Sequence, residues 1–548
     1  MSVQWMAGNL KNRMVFSAEL VSYILLFFLR IPLSRVIGDA GVGLFAPAFE
    51  VFILTTLVIT FAMSRAISGI IRYRVKRERF RNARKAFRTA FLMNLTLGGI
   101  LALFSLFLSF WIADILVLEQ LSRMAILAAV PSIFLAAIVG IFRGYFNGYG
   151  MTVIVAHSQY FEKIAMIIGA VFVGRVFYAY GEKVAALKHL EAHAYAYGAL
   201  GAMLGVMISQ VIAILHLLLC YIIYAGALNG RHGQDNSRRA ETRFELQRLL
   251  LVNLLPLALV AVLSNLFMLI DQRFFNYSLN VSGQGEVRTA QWGCYYGKFA
   301  ALLGMGAAFA CLFVHGHIGK IGRAYEHEEY RSMREQIGRA VRNTSIAAFP
   351  IAVFLAALSK PLAGCCYGRA TAQITVLAGW LQKGVALIIL FAFSFLFGQL
   401  LYQLRFVREL FLTVAASLLI HLLFVWVFMR QMHMGVDGLL CALILFYGIY
   451  MVCGFLLMNR HIKYRIDWFS GVLFPFAAAA VSGVAVYLIA IAVVDLVGNV
   501  VTLLIALFVG LLFYIFLLML LRVIGETELH EIPLGFLFIL LGRNIGIL

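Results

Sequence analysis

The sequence predicts an all-α polytopic membrane protein of about fourteen transmembrane helices, and three observations predict it. The first is composition. Hydrophobic residues make up 63% and charged residues 13% of 548 residues, with a mean hydropathy of +0.93, against roughly 45–50% and about 25% in soluble domains. The second is the spacing of apolar runs, since a membrane helix needs about 20 mostly apolar residues. Segments near 12–33, 42–64, 88–112, 123–142, 151–174, 197–225, 247–270, 290–316, 338–358, 374–400, 408–428, 436–457, 468–494 and 498–521 meet that need. The third is charge. With the N-terminus inside, 31 of the 45 Lys and Arg fall on the inner side, 11 on the outer side, and Lys163, Lys298 and Lys383 lie within spans. This near threefold bias sets the orientation and places both termini in the cytoplasm.

The first span follows Lys11 and Arg13. A signal peptide would start similarly, but no small-x-small cleavage site follows, and the run passes directly into "RIPLSRVIG", so it reads as retained. It carries Glu19 and ends on Arg30 and Arg35; the second carries Glu50 and ends on Arg65. Between spans two and three lies "RYRVKRERFRNARKAFR", Arg72 to Arg88. Flanked by spans, it reads as an amphipathic segment on anionic lipid headgroups and not as a nucleic-acid patch.

Spans four and five are joined by the glycine-rich turn of "GIFRGYFNGYGMTVIVAHSQYFEK". On a helical wheel Thr152, Ala156, Gln159, Glu162 or Lys163, and Met166 form one stripe. Glu162 and Lys163, adjacent in sequence, do not face each other and are expected to find partners elsewhere. Gln159 and Glu162 share a face expected to line a passage. In the second half, Asp271 lies at the outer end of span seven, with Arg273 beside it as a local partner or a free cation, and Lys298 lies in span eight. A lysine inside a span costs about 2.5–3.5 kcal/mol on insertion scales, so it is expected to meet water or a partner. Glu19, Glu50 and Asp271 are the carboxylates that could carry a coupling H+ or Na+.

A second charged run, "RAYEHEEYRSMREQIGR", superposes Arg323 on Arg72 and Arg339 on Arg88 at a shift of 251 residues. The repeat gives six spans, a basic linker, six spans and two more: an N-lobe over 1–228, a linker over 229–246, a C-lobe over 247–458, and helices thirteen and fourteen with a cytoplasmic tail over 459–548. Six being even, the lobes are expected to be parallel repeats about an axis along the membrane normal, a pseudo-twofold that supports alternating access.

Several chemistries find no support. The seven cysteines show no C-x-x-C, so neither a zinc site nor a disulfide framework is indicated. "HGH" at His315–His317 has no third ligand nearby and reads as an interfacial pair. No H-E-x-x-H, G-x-S-x-G or P-loop occurs, so no enzyme is expected. A glycosyl polymerase or ligase would need a large outer loop, and none exceeds roughly 25 residues.

The motifs resemble a known family. "RIPLSRVIGDAGVGLF", "FAMSRAISGIIRYR", "FRGYFNGYGMT…HSQYFEK" and "YYGKFAALLGMGAAFACLFVH" resemble, in order and spacing, helices one, two, four to five and eight of the stage V sporulation protein B family. That family lies in the polysaccharide-transporter branch of the multidrug/oligosaccharidyl-lipid/polysaccharide exporter superfamily, together with lipid II flippases. The resemblance implies movement of an undecaprenyl-pyrophosphate-linked saccharide from inner to outer leaflet of a bacterial cytoplasmic membrane; a monomer without a bound cofactor is expected. It raises Arg30, Arg35, Arg65, Lys298 and Arg273 as cations for the pyrophosphate, and implies a groove for the polyprenyl tail in spans thirteen and fourteen, which on the sequence alone could equally pad the C-lobe. A cation-coupled multidrug or small-molecule antiporter of the same superfamily is the second reading; fourteen spans and a cationic set count against it. The chain departs from the family where "AMSRAIS" and "GMTVIVAHSQ" lack the usual prolines. With only 8 prolines in all, kinks are expected at glycine or nowhere.

Overall fold

The computed structural model describes residues 24–230, 241–367, 371–464 and 467–526, with a few isolated positions outside these ranges. The described residues are helical, with no strand among them. In chain order the helices are α1 (Arg30–Thr56), α2 (Met63–Val75), α3 (Phe80–Phe107), α4 (Arg123–Gly148), α5 (Thr152–Lys188), α6 (Ala192–Gly230), α7 (Arg243–Leu263), α8 (Phe267–Val281), α9 (Arg288–Cys294), α10 (Ala300–Glu326), α11 (Tyr330–Ala357), α12 (Ser359–Tyr367), α13 (Thr371–Gly384), α14 (Ala386–Gln403), α15 (Val407–Trp426), α16 (Val436–Ile462) and α17 (Phe474–Leu520). A π-helical turn, Tyr295–Phe299, joins α9 to α10.

Among the described residues, twelve helical stretches are long and apolar enough to cross a membrane, and two of them, Ile24–Val75 and Phe469–Leu520, are 52 residues long. At 1.5 Å per residue each would extend about 78 Å, more than twice the roughly 30 Å hydrocarbon core. Each is broken once, at Gly38 (φ 74, ψ 167) and at Gly498 (φ 77, ψ 171). Only glycine adopts that backbone region without strain. Divided at these breaks, the twelve stretches give fourteen helical segments among the described residues, in a multi-pass membrane protein. Both breaks fall at glycine, as the scarcity of proline predicts. Pro47, Pro131, Pro256 and Pro350 nevertheless lie inside helices.

Similar turn geometry recurs along the chain. After α2, Glu78 takes φ 55, and after α10, Glu328 takes φ 59. The next amide in each case reaches back five residues, Arg79 to the Arg74 carbonyl at 2.9 Å and Glu329 to the Ala324 carbonyl at 2.8 Å. The geometric register pairs Glu78 with Glu328, one residue from the shift read from charge. A second such turn follows α4 at Gly150 (φ 79) and α14 at Arg405 (φ 66).

The chain gathers into two compact units. One comprises Met1–Ala301 and Val414–Leu439, the other Leu302–Thr413 and Leu440–Leu548. In the first, α7, α8 and α9 pack on α1 to α3 and their connecting turns. The compact units therefore divide elsewhere than the six-plus-six boundary. Glycine allows the closest of these approaches: a Cβ on Gly293 would lie 1.7 Å from the Asp39 carbonyl oxygen, and one on Gly43 would lie 2.1 Å from that of Thr289. In the second unit α11 packs on α14 and α17, with the Tyr514 hydroxyl donating to the Ile346 carbonyl at 3.0 Å.

The basic segment after α2 is tied to the linker. The buried Arg74 guanidinium donates from Nε to Glu241 Oε2 at 3.0 Å, and the Arg81 amide donates to Asp235 Oδ1 at 3.1 Å. Helix α7 then begins in a capping box: the Glu245 amide donates to Thr242 Oγ1 at 3.2 Å and the Thr242 amide to Glu245 Oε2 at 2.8 Å.

Candidate functional site

Charged side chains in an apolar span survive only when paired or hydrated. Besides the Arg74–Glu241 tie and an Arg288–Glu119 pair at 3.2 Å, the buried charges of the first unit form three groups.

The first joins α1 to the π-helical turn. Arg30 is 3% exposed and Glu50 6%. The Arg30 Nη2 donates to Glu50 Oε1 at 3.5 Å, its Nη1 donates to the Tyr296 carbonyl at 3.5 Å, and its guanidinium carbon stands 3.8 Å from the Tyr296 ring centroid. The Tyr296 hydroxyl donates to the same Glu50 oxygen at 2.6 Å. Two residues on, the buried Lys298 Nζ donates to Asp39 Oδ1 at 2.7 Å and Oδ2 at 3.0 Å. The break at Gly38 sets Asp39 at the start of the following helical stretch. The wide π turn presents Tyr296 and Lys298 to the same stretch of α1. Formally, two cations face two carboxylates.

The second lies among α4, α5 and α6. Arg143 donates from Nε to Ser158 Oγ at 2.9 Å and from Nη2 to Glu162 Oε2 at 2.6 Å. Glu162 Oε1 accepts from Lys163 Nζ at 2.7 Å and from Gln210 Nε2 at 3.3 Å. Here two cations surround one carboxylate.

The third is the pair Asp271–His421, between α8 and α15. The Nε2···Oδ1 distance is 2.8 Å and both side chains are 0% exposed. The second Asp271 oxygen, Oδ2, is buried without a hydrogen-bond partner.

Two expectations are corrected. Glu162 and Lys163 do pair with each other, because the long lysine stem folds back across the helix surface although the two Cα positions diverge. Arg273 does not pair with Asp271. It donates to the Ile115 carbonyl, while Asp271 Oδ1 is held by the His421 imidazole. Of the other predicted residues, Arg35 is exposed and Gln159 half-buried. Arg65 stacks 4.4 Å from the Phe61 ring centroid. Glu19 lies outside the described residues, as does the side chain of His315.

Sequence reasoning missed Asp39, Tyr296, Arg143 and His421. His421 carried a usable signal, a lone imidazole in the run "SLLIHLLFVW". Asp39 follows a glycine break, where a carboxylate looks like part of an outer loop.

The comparisons bear on what these groups serve. Residues 12–282 match the family model described as Polysaccharide biosynthesis protein. The chain is 24% identical over 367 residues to stage V sporulation protein B of Bacillus subtilis (strain 168), covering 66% of this chain and 67% of that one. The chain is thus similar to the polysaccharide-transporter branch of the multidrug/oligosaccharidyl-lipid/polysaccharide exporter superfamily. The fold agrees. The inward-facing conformation of a multidrug resistance MATE family transporter of that superfamily superposes with a TM-score of 0.60 at 16% identity, over 81% of this chain and 94% of that one. The lipid II flippase MurJ in its inward closed conformation superposes with a TM-score of 0.59 at 14% identity, over 92% and 97%. The family match spans Arg30, Glu50, Arg143, Glu162 and Asp271, whereas Tyr296 and Lys298 lie beyond its end. The exporter fold therefore brings a family-matched helix, α1, against two charged or polar side chains from outside that segment.

Proposed function

We propose that this chain moves a saccharide carried on undecaprenyl pyrophosphate from the inner to the outer leaflet of the bacterial cytoplasmic membrane, by alternating access, with both termini cytoplasmic. It acts as a transporter and not as an enzyme. The observation that carries the reading is the pairing of α1 with the π turn: one buried arginine and one buried lysine brought to one crossing. A diphosphate diester bears two negative charges, and an unaided crossing of about 30 Å of hydrocarbon would be prohibitive. The guanidinium can take two phosphate oxygens at once and the ammonium serves as a point charge. The polysaccharide-biosynthesis match and the relative in sporulation support a lipid-linked saccharide as cargo.

Coupling falls to a proton at Asp271–His421. A buried carboxylate facing an imidazole can gain and lose one proton within hydrogen-bond distance. Hard cations prefer several oxygen ligands, and this pair offers a nitrogen.

The test is flipping in proteoliposomes. With a fluorescent undecaprenyl-pyrophosphate-linked sugar, the wild-type chain is expected to flip it, and Lys298→Gln and Lys298→Glu to fall to the protein-free rate. Unchanged rates in both variants would overturn the assignment. Movement of a lipophilic cation with no lipid flipping would favour the antiporter reading instead.

A further inference from the structure

Both cations of the α1 crossing are already neutralised: Arg30 by Glu50 and Lys298 by Asp39. A dianionic headgroup cannot take them without displacing a carboxylate from each. We infer that Glu50 and Asp39 are internal stand-ins for the diphosphate, exchanged for it when cargo enters, and that Glu50 takes up one proton as Arg30 leaves it. This rests on the proposed role of Arg30 and Lys298.

The two carboxylates differ in what happens next. Glu50 is 8% exposed at its side chain. Once Arg30 turns to a phosphate, Glu50 keeps only the Tyr296 hydroxyl, and a buried carboxylate stripped of its cation is costly enough to protonate. The proton comes from the aqueous phase, and no covalent bond changes in the cargo. Among the described residues, Arg30 and Tyr296 are the charged or titratable groups that act on Glu50. Several other charged groups on the helices and turns packed against α1 are engaged elsewhere: Lys298 with Asp39, Arg288 with Glu119, Arg143 and Lys163 with Glu162, Asp271 with His421, and Arg273 with the Ile115 carbonyl. Asp39 is more open, 17% exposed at its side chain, so on losing Lys298 it can be rehydrated and stay ionised.

A structural role and an exchange role for Glu50 predict opposite results. If Glu50 only holds Arg30 in place, its removal weakens binding. If it competes with the cargo, its removal strengthens binding. The exchange also links affinity to pH through one proton, at most about tenfold per pH unit.

The experiment is equilibrium binding of farnesyl-diphosphate-linked N-acetylglucosamine to the full chain in detergent, between about pH 6 and pH 8. The probe is a diphosphate diester whose own charge does not change in that range. Wild-type affinity is expected to rise as pH falls. Glu50→Gln is expected to bind tightly and without pH dependence, and Asp39→Asn to bind more tightly while keeping the wild-type slope. A pH-independent wild type, or a Glu50→Gln chain that binds no tighter, overturns the exchange. Should Glu50→Gln fail to fold, infrared difference spectra of the wild type decide: probe addition is expected to produce the carbonyl stretch of a newly protonated carboxyl, and its absence overturns the exchange. Arg30→Ala and Lys298→Ala separate the two levels. Undiminished binding in both removes the cation site itself. Lost binding in both, with a pH-independent wild type, removes only the exchange.

Discussion

The two networks of buried ion pairs in the first unit are built alike and placed differently. Around Glu162, the partners Arg143 and Gln210 are 19 and 48 residues away in sequence, and all lie on the consecutive helices α4 to α6. Around α1, Tyr296 meets Glu50 across 246 residues and Lys298 meets Asp39 across 259. The local network is a fastening within one bundle of neighbouring helices, whereas the long-range one joins halves of the chain that the repeat sets apart. The first network also keeps an unbalanced positive charge while the second is neutral. A contact that must open needs a partner that can be replaced, and the neutral 1:1 pairs are replaceable by a dianion. Burial and pairing alone do not tell structure from function, and the two networks differ in the sequence distance that they span.

The sharpest break of this comparison is Arg143→Ala. It leaves Glu162 buried with Lys163 and Gln210, and should cost about 3–5 kcal/mol, read as a large fall in the thermal midpoint and in yield. A stable Arg143→Ala chain that had lost transport would invert the assignment of roles.

Next comes the close crossing. Gly293→Ala puts a Cβ where the Asp39 carbonyl lies at 1.7 Å, so α9 and α1 must separate. Overpacking of this kind costs about 1–3 kcal/mol, and cysteine cross-linking of α1 to α9 should slow. Unchanged cross-linking would mean that the crossing yields easily.

Arg30→Lys keeps the charge but loses the forked donor and most of the ring stacking on Tyr296. Flipping should fall about tenfold, equal to about 1.4 kcal/mol, with the thermal midpoint nearly unmoved. A stability loss without a transport loss would make this network a second fastening.

The smallest effect lies in the second unit, beyond the membrane stretch of α10. His317 accepts from Asn343 Nδ2 at 2.9 Å and faces Gln336 Oε1 at 3.3 Å, and burial holds its pKa below the usual 6.5. Protonation is thus disfavoured in the folded chain. The stability it contributes is present above about pH 6.5 and is lost as pH falls below that value toward the lowered one. The thermal midpoint should drop between pH 7 and pH 5 by slightly more in wild type than in His317→Asn; equal drops would remove His317 as the cause.

Much of the fold was legible because a membrane leaves few choices. Apolar length sets the spans. The breaks were legible too, since Gly38 and Gly498 sit between runs too long to be one helix. The site was legible in half. Lys298, Glu50 and Asp271 stand out because charge in a span demands a reason. Their partners do not, since pairing across 246 or 259 residues leaves no periodic trace. Lys163 misled because wheel geometry follows Cα positions, while a four-carbon stem can bring its ammonium back to the neighbouring carboxylate.

The most direct test of the account removes one long-range pair whole, so that no buried charge is orphaned. Lys298→Gln combined with Asp39→Asn should fold with nearly the wild-type thermal midpoint and yet flip fluorescent undecaprenyl-pyrophosphate-linked sugar no faster than protein-free vesicles. Flipping at the wild-type rate by that folded double variant would contradict it.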